Sequence, residues 1–225
     1  MGLAAPVIFT ACVQFFDMTA VSYRGQVREL LRKRVVQAAL DRAASQSWER
    51  IRMADVAADV GVSRQTLYNE FGSKDALARA LLAQELETTL DGIRDRLDEH
   101  QDILTAVTHA LAWALQMTSD HAALQRILSE AREGEPQTLL PLLTTRAEVA
   151  IIPAADTFET YARERWPELL GDAADPPPRE VVESLVRLLV SHIVLPTGPP
   201  EDTAHVLAVL TVKALAADPS GTAAS

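Results

Sequence analysis

The stretch Met53–Leu77 reads MADVAADVGVSRQTLYNEFGSKDAL, and its punctuation decides the fold. Met53, Val56, Ala57 and Val60 recur at steps of three and four, the spacing of one apolar helix face. Gly61 follows, and glycine takes the left-handed conformation that a tight helix stop needs. Ser63 is then expected to cap a second helix, because its hydroxyl can accept from the unpaired N–H groups of the first turn. Val62 and Leu67 stand at the two positions of a hydrophobic staple. This second helix is expected to end at Gly72, after Phe71. Ser73 caps the next one, with Asp75 favourably placed against its dipole. Two short helices joined by a tight glycine turn form a helix-turn-helix.

Polar residues fill the outer face of the second helix. The major groove of DNA is about 12 Å wide and admits one helix. Arg64 can give two hydrogen bonds to a guanine, and Gln65 or Asn69 can pair with an adenine edge. Thr66, Tyr68 and Lys74 suit phosphate oxygens, which fix register without reading sequence. A plain three-helix corner with a solvated face is the alternative. The agreement of turn, cap, staple and polar row favours the groove reader.

Outward from this stretch the chain continues as helices. Val27, Leu30, Leu31, Val35, Ala38 and Ala39 mark an amphipathic helix beginning near Tyr23, with arginines on its outer face. After the capped Ser73, a fourth helix carries Leu77, Leu81 and Leu86 and is expected to fade into the charged run Asp91–Glu99. Ile103–Met117, His121–Arg132 and roughly Ala154–Arg165 also read as helical, with Pro136, Pro141 and Pro153 breaking the region between. Pro167–Pro178 reads as a loop. Val181–Leu195 is apolar almost all round, so it must be buried on more than one face. Thr203–Ala217 is the last apolar segment. No alternating strand pattern occurs. The expectation is an all-α protein with an N-terminal three-helix helix-turn-helix domain and a C-terminal helical domain. The expected bounds are a flexible leader (1–21), the helix-turn-helix domain (22–72), the helical body (73–217) and a flexible tail (218–225).

Composition agrees. The 225 residues are 48% apolar and 23% charged, which is globular composition with room for one or two domains. The single cysteine, Cys12, excludes a disulfide framework and fits a cytoplasmic protein. No run of about 18 apolar residues is present, so no membrane partner is expected. The net charge of −10 looks wrong for a polyanion partner. Between Ser22 and Arg79, however, eleven basic residues face seven acidic ones, a local +4 that leaves −14 for the remainder. A basic third joined to an acidic body implies two tasks.

Catalysis finds no support. The five histidines are scattered. Neither HExxH nor GxSxG occurs, nor does a glycine-rich phosphate loop. No catalytic residue, metal or cofactor is expected. A small enzyme or a protein-binding helical adaptor are the readings that DNA binding would displace.

The segment Met53–Leu77 closely resembles the DNA-binding segment of the TetR family of bacterial transcription regulators. The matching positions are Gly61-Val62-Ser63, Thr66-Leu67-Tyr68, Phe71 and Ser73-Lys74-Asp75, and with the preceding helix the match covers about Tyr23–Leu82. The resemblance implies a homodimer that binds a near-palindromic double-stranded operator and releases it when a small ligand enters the C-terminal domain. Most such proteins repress, and some activate. By resemblance, Arg64, Gln65 and Asn69 read bases, while Ser63, Thr66, Tyr68 and Lys74 lie at the DNA backbone. The family often caps the helix near Met53 with Thr or Ser. Here Ile51-Arg52 stands instead, and Arg52 is expected to meet phosphate. Trp48 takes the place of a buried aromatic.

The resemblance also implies that Arg179–Leu195 and Thr203–Ala217 form a four-helix interface with a second copy. Both segments are too apolar to face water. The expected interface residues are Val182, Leu185, Leu189, Val206 and Leu210. The ligand cavity is expected to be walled by Trp113, Met117, Leu124, Ile151, Phe158, Leu188 and His192. Few polar residues fall on these faces, so a small hydrophobic effector is expected. Leu139–Thr145, Trp166–Leu169 and Leu185–Pro196 resemble family members tied to alkane or fatty-acyl metabolism.

Overall fold

In the computed structural model, residues 7–134, 139–146, 150–169 and 176–216 are described, with side chains from Tyr23 onward except those of residues 24, 143 and 169. Every regular element among them is helical: α1 (Val7–Ser45), α2 (Met53–Val60), α3 (Arg64–Phe71), α4 (Lys74–Asp98), α5 (Ile103–Asp120), α6 (Ala122–Arg132), α7 (Leu139–Thr144), α8 (Ile151–Arg165), α9 (Pro178–Val194) and α10 (Pro200–Leu215). Short 3-10 turns occupy Trp48–Arg50 and Pro167–Leu169.

Helix α1 begins earlier than Tyr23. It runs back to Val7, into the segment expected as a leader, and neither Gly nor Pro interrupts Val7–Tyr23. Only residues 1–6 of that leader lie outside the described backbone, as does the tail 218–225. Helix α4 also departs from expectation. It does not fade at Asp91 but continues to Asp98, because Leu90, Ile93 and Leu97 keep an apolar stripe through the charged run; Ile93 and Leu97 are buried. Pro141 and Pro153, expected as breakers, sit third in α7 and α8 respectively. In a first helical turn a proline removes no bond, since those N–H groups lack partners anyway. Pro178 and Pro200 open α9 and α10 for the same reason.

Two large apolar clusters, with smaller ones beside them, hold the molecule. The first joins α1 (Val35, Val36, Ala39, Ala43), α2 (Met53, Val56, Ala57), α3 (Leu67, Phe71) and the start of α4 (Leu77, Ala78, Leu81) to α6 (Ala123, Ile127) and α7 (Leu139, Leu142). Packing therefore crosses the expected boundary at 72/73. The second joins the end of α4 to α5, α9 and α10. Alanines do much of its work: Ala106, Ala110 and Ala114 of α5 and Ala204 and Ala208 of α10 are all essentially inaccessible. Side chains this small let two helix backbones approach closely.

Gly92 on α4 makes room for a neighbour. A methyl group there would lie 2.0 Å from the Trp113 ring of α5. Alanine for glycine inside a helix ordinarily stabilises by about 1 kcal/mol. Gly92→Ala is expected to lower stability instead, by about 1–2 kcal/mol through overpacking. Urea denaturation gives the sign, and adding Trp113→Leu should return it to a gain.

Candidate nucleic-acid interface and the cavity in the body

The turn between α2 and α3 forms as its residues dictate. Gly61 has φ 76°. Its N–H donates to the Ala58 carbonyl (3.1 Å) and the Val62 N–H donates to that of Ala57 (3.0 Å), the paired bonds of a Schellman stop. The Ser63 hydroxyl accepts from the Thr66 N–H at 3.0 Å and lies 2.8 Å from the Thr66 hydroxyl. Leu67 is 1% exposed and anchors α3 from beneath. Arg64, Gln65, Thr66 and Asn69 are thereby turned outward and exposed, with Tyr68 half-buried beside them. The Gln65 amide donates to Asn69 Oδ1 at 2.8 Å, and the Arg64 guanidinium lies 5.2 Å from the Tyr68 ring centroid. The polar row is therefore partly ordered before any partner arrives.

Arg52 is exposed at the start of α2, where no side chain caps the helix. Lys74, expected at phosphate oxygens, also serves the fold. It is half-buried, donates to the Glu49 carbonyl at 3.1 Å, and sits 5.5 Å from the Trp48 ring centroid. Burial lowers its pKa, against the pull of Glu49 and Asp75. One of its three donors is thus committed to holding the 3-10 turn against α4. Trp48 is buried as expected, and its indole N–H has no partner.

Ion pairs that the sequence did not disclose fix α3 in place. Glu70, on its inner edge, accepts from Arg28 (2.8 Å) and Arg32 (2.7 Å) of α1, and Arg32 also stacks on Phe71, 4.6 Å from the ring centroid. Arg42 of α1 pairs with Asp59 of α2 in the same manner. Nothing in the spacing marks these contacts, which join positions 17 to 42 residues apart.

The body holds a partly open cavity of about 170 Å³. Of the seven residues expected to wall it, Met117, Leu124 and Phe158 do so. The other four do not. Trp113 lies across Gly92, under the Arg96 guanidinium. Ile151 is buried in a separate cluster with Val182 and Val186. Leu188 is exposed on the outer face of α9, and His192 is half-buried beside the cavity rather than in its wall. Leu40 and Ala43 of α1 also line the cavity, as do Leu81 and Leu82 of α4, so the groove-reading unit forms one of its walls. The wall is apolar except for Glu85, Thr89, Thr118 and His121. His121 closes α5 and caps α6; its Nε2 lies 2.8 Å from Glu85 Oε2 and its Nδ1 accepts from the Leu124 N–H at 3.3 Å. The hydrogen bond to Glu85 raises the His121 pKa against the opposing effect of burial. Sequence reading counted His121 among scattered histidines, since its partner lies 36 residues away.

The interface residues expected on α9 and α10 divide by face. Val182 and Leu189 are buried inside the single chain, and Leu185 is half-buried, because the side of α9 they occupy covers α5 and α8. Val206 and Leu210 are both 56% exposed and join Leu188 and Leu195 on the outside.

The comparisons agree with this architecture. Residues 35–81 match the family model described as bacterial regulatory proteins, tetR family, and residues 102–213 match that of the bacterial tetracyclin repressor, C-terminal domain. The chain belongs to the TetR family and is a transcription regulator with a helix-turn-helix DNA-binding domain, not an enzyme. It is 28% identical over 190 residues to the HTH-type transcriptional regulator AlkX of Mycobacterium tuberculosis, covering 84% of this chain and 87% of that one. Among solved structures it is similar to the TetR family repressor AlkX from a Dietzia strain, implicated in biodegradation of n-alkanes, with a TM-score of 0.66 at 28% identity over 82% of this chain and 94% of that one. The R. erythropolis transcriptional repressor QsdR shares the fold, with a TM-score of 0.57 at 19% identity over 82% of this chain and 95% of that one. Among the described residues, no helix is long and apolar enough to cross a membrane.

The Glu70 carboxylate is only 11% exposed. Burial would raise its pKa, but hydrogen bonds from Arg32 and Arg28 outweigh this and hold it below the ordinary value. A depressed carboxylate stabilises the folded state above its unfolded pKa, about 4.3, and that contribution is lost as pH falls through the folded value. Glu70→Gln is expected to reduce stability by about 1 kcal/mol at pH 7, because the two arginines remain partly exposed. The gap to the parent protein should close below about pH 4 in urea titrations, as the parent's carboxylate also becomes neutral.

Proposed function

We propose that the protein is a homodimeric repressor that binds a near-palindromic operator through α3 and leaves it when an apolar small molecule enters the body. One observation carries the reading: α1 packs under the groove-facing unit and also walls the cavity through Leu40 and Ala43. Occupancy of the cavity therefore bears on the helix that carries α2 and α3. On this reading residues 22–72 serve the operator, and 73–217 serve effector and partner. Arg64, Gln65 and Asn69 face base edges; Arg52, Ser63, Thr66 and Tyr68 face the backbone, with the remaining donors of Lys74 at its margin. The likeness to AlkX, a repressor implicated in n-alkane biodegradation, supports repression and a chain-like apolar effector.

An exposed apolar surface on α9 and α10 supports docking of a second copy. Leu188 and Leu210 border one shallow surface groove on α9 and α10, and Leu195 and Val206 add exposed apolar area. Isolated apolar residues on a surface are ordinary, but three large ones on two adjacent helices, with Leu195 at the end of α9, suit the apolar core of a homodimer interface. A charge at buried Leu189 would disrupt the chain's own core, so Leu210 is the position that tests the interface.

A mobility-shift assay against the DNA upstream of its own gene tests the function, with failure to bind counting against it. Arg64→Ala is expected to relax preference at one base pair, by about 1–3 kcal/mol there. Tyr68→Ala should weaken binding to all sequences alike. Leu210→Glu should yield folded monomers by light scattering and lose operator affinity, whereas a persisting dimer would move the interface elsewhere.

A further inference from the structure

The walls of the cavity say more about its occupant than that it is apolar. Four polar side chains interrupt the carbon surface, and their donors are already engaged. Thr89 donates to the Glu85 carbonyl at 2.8 Å. Thr118 lies 2.9 Å from the carbonyls of both Ala114 and Leu115. Because His121 Nδ1 accepts from the Leu124 N–H, the proton of its neutral ring sits on Nε2, directed at Glu85. What remains is acceptor capacity alone: the free oxygen of Glu85 and the lone pairs of two threonine hydroxyls.

An occupant completes such a wall only by donating. A carboxylate has nothing to give and meets Glu85 as a like charge. A plain alkane displaces water from the Glu85 oxygen that His121 leaves free and offers it no partner, and an unmet polar group is costly. An ammonium donates, but it brings three N–H groups and a full charge into a cavity lined otherwise by carbon. A hydroxyl brings one donor and no charge.

The space also has a direction. A second cavity of about 70 Å³, reaching Leu97 and Trp166, adjoins the first. Ile93, Phe158, Val186 and Leu189 line both, so these side chains form the partition. A space near 150 Å³ holds a molecule about the size of benzene. A longer occupant that stays within the body passes the partition as a slim flexible chain. We propose, resting on the reading of the body as an effector-binding domain, that the occupant is a straight-chain primary alcohol. Its hydroxyl donates to Glu85, and its tail passes Ile93 and Phe158 into the second chamber.

Calorimetry on the full chain with 1-decanol, decanoate and 1-methoxydecane tests this, since the three share a decyl-length chain and only the first is a neutral donor. Decanol is expected to bind about tenfold or more tightly than either of the others, the scale of one hydrogen bond to a charged acceptor. Glu85→Gln is expected to shrink the decanol-to-decanoate ratio about fivefold or more, because the like charge is gone. Decanoate or the ether binding as well as decanol would overturn the proposal, and so would a ratio unmoved by Glu85→Gln. If that variant fails to fold, the ratios on the parent protein decide. Operator release is followed in parallel. Decanol that binds without releasing DNA would sink the effector-release reading and leave this site standing. Release by decanoate and not by decanol would do the reverse.

Discussion

Burial of one face of α1 is the constraint on which the rest depends. Val35 and Ala39 are inaccessible, and Val36 and Ala43 nearly so. On one flank this face holds α2 and, through Leu67 and Phe71, α3; on the other it meets Ala123 and Ile127 of α6. Arg126 of α6 donates to the Ala44 carbonyl at 3.2 Å, near the end of α1. Packed cores deform little except by moving between discrete arrangements. A helix clamped from both flanks shifts as a body or not at all. On the proposed reading, this is why filling a cavity that Leu40 and Ala43 line reaches α3, although no ligand touches it.

Legibility followed the range of the forces. The Gly61 stop, the Ser63 and Ser73 caps and the Val62–Leu67 staple are local, and each formed where the residues implied. The third-position prolines of α7 and α8 were misread because a breaker and a first-turn residue look alike until the helix start is known. The stripe Leu90–Ile93–Leu97 was masked by the charges around it. Contacts across long separations left no trace: Glu70 with Arg28 and Arg32, or Glu85 with His121. A pair of side chains on different helices is visible only once packing has brought those helices together.

Helix α9 shows the limit most sharply. Its sequence is apolar almost all round, which implies burial on more than one face. Dividing the residues was not possible from the pattern, since Leu188 and Leu189 differ by one position, about 100° of rotation. Leu189 turns inward to the cavity and Leu188 outward to solvent. The inner face answers to the chain's own core, the outer one to whatever covers it.

Charge makes the same point about the groove-facing unit. Its eleven basic residues suggested a general attraction for polyanions. Yet Arg28, Arg32, Lys33 and Arg42 are paired with Glu70, Glu29 and Asp59 inside the molecule. Arg34, Arg50, Arg52, Arg64 and Arg79, by contrast, are exposed and make no ion pair among the described residues. Two of these, Arg52 and Arg64, stand at the start of α2 and α3, where the polar row of α3 is also exposed. On the proposed reading, the acidic body opposes indiscriminate attachment, and fitted contacts on α3 supply selectivity that bulk charge does not.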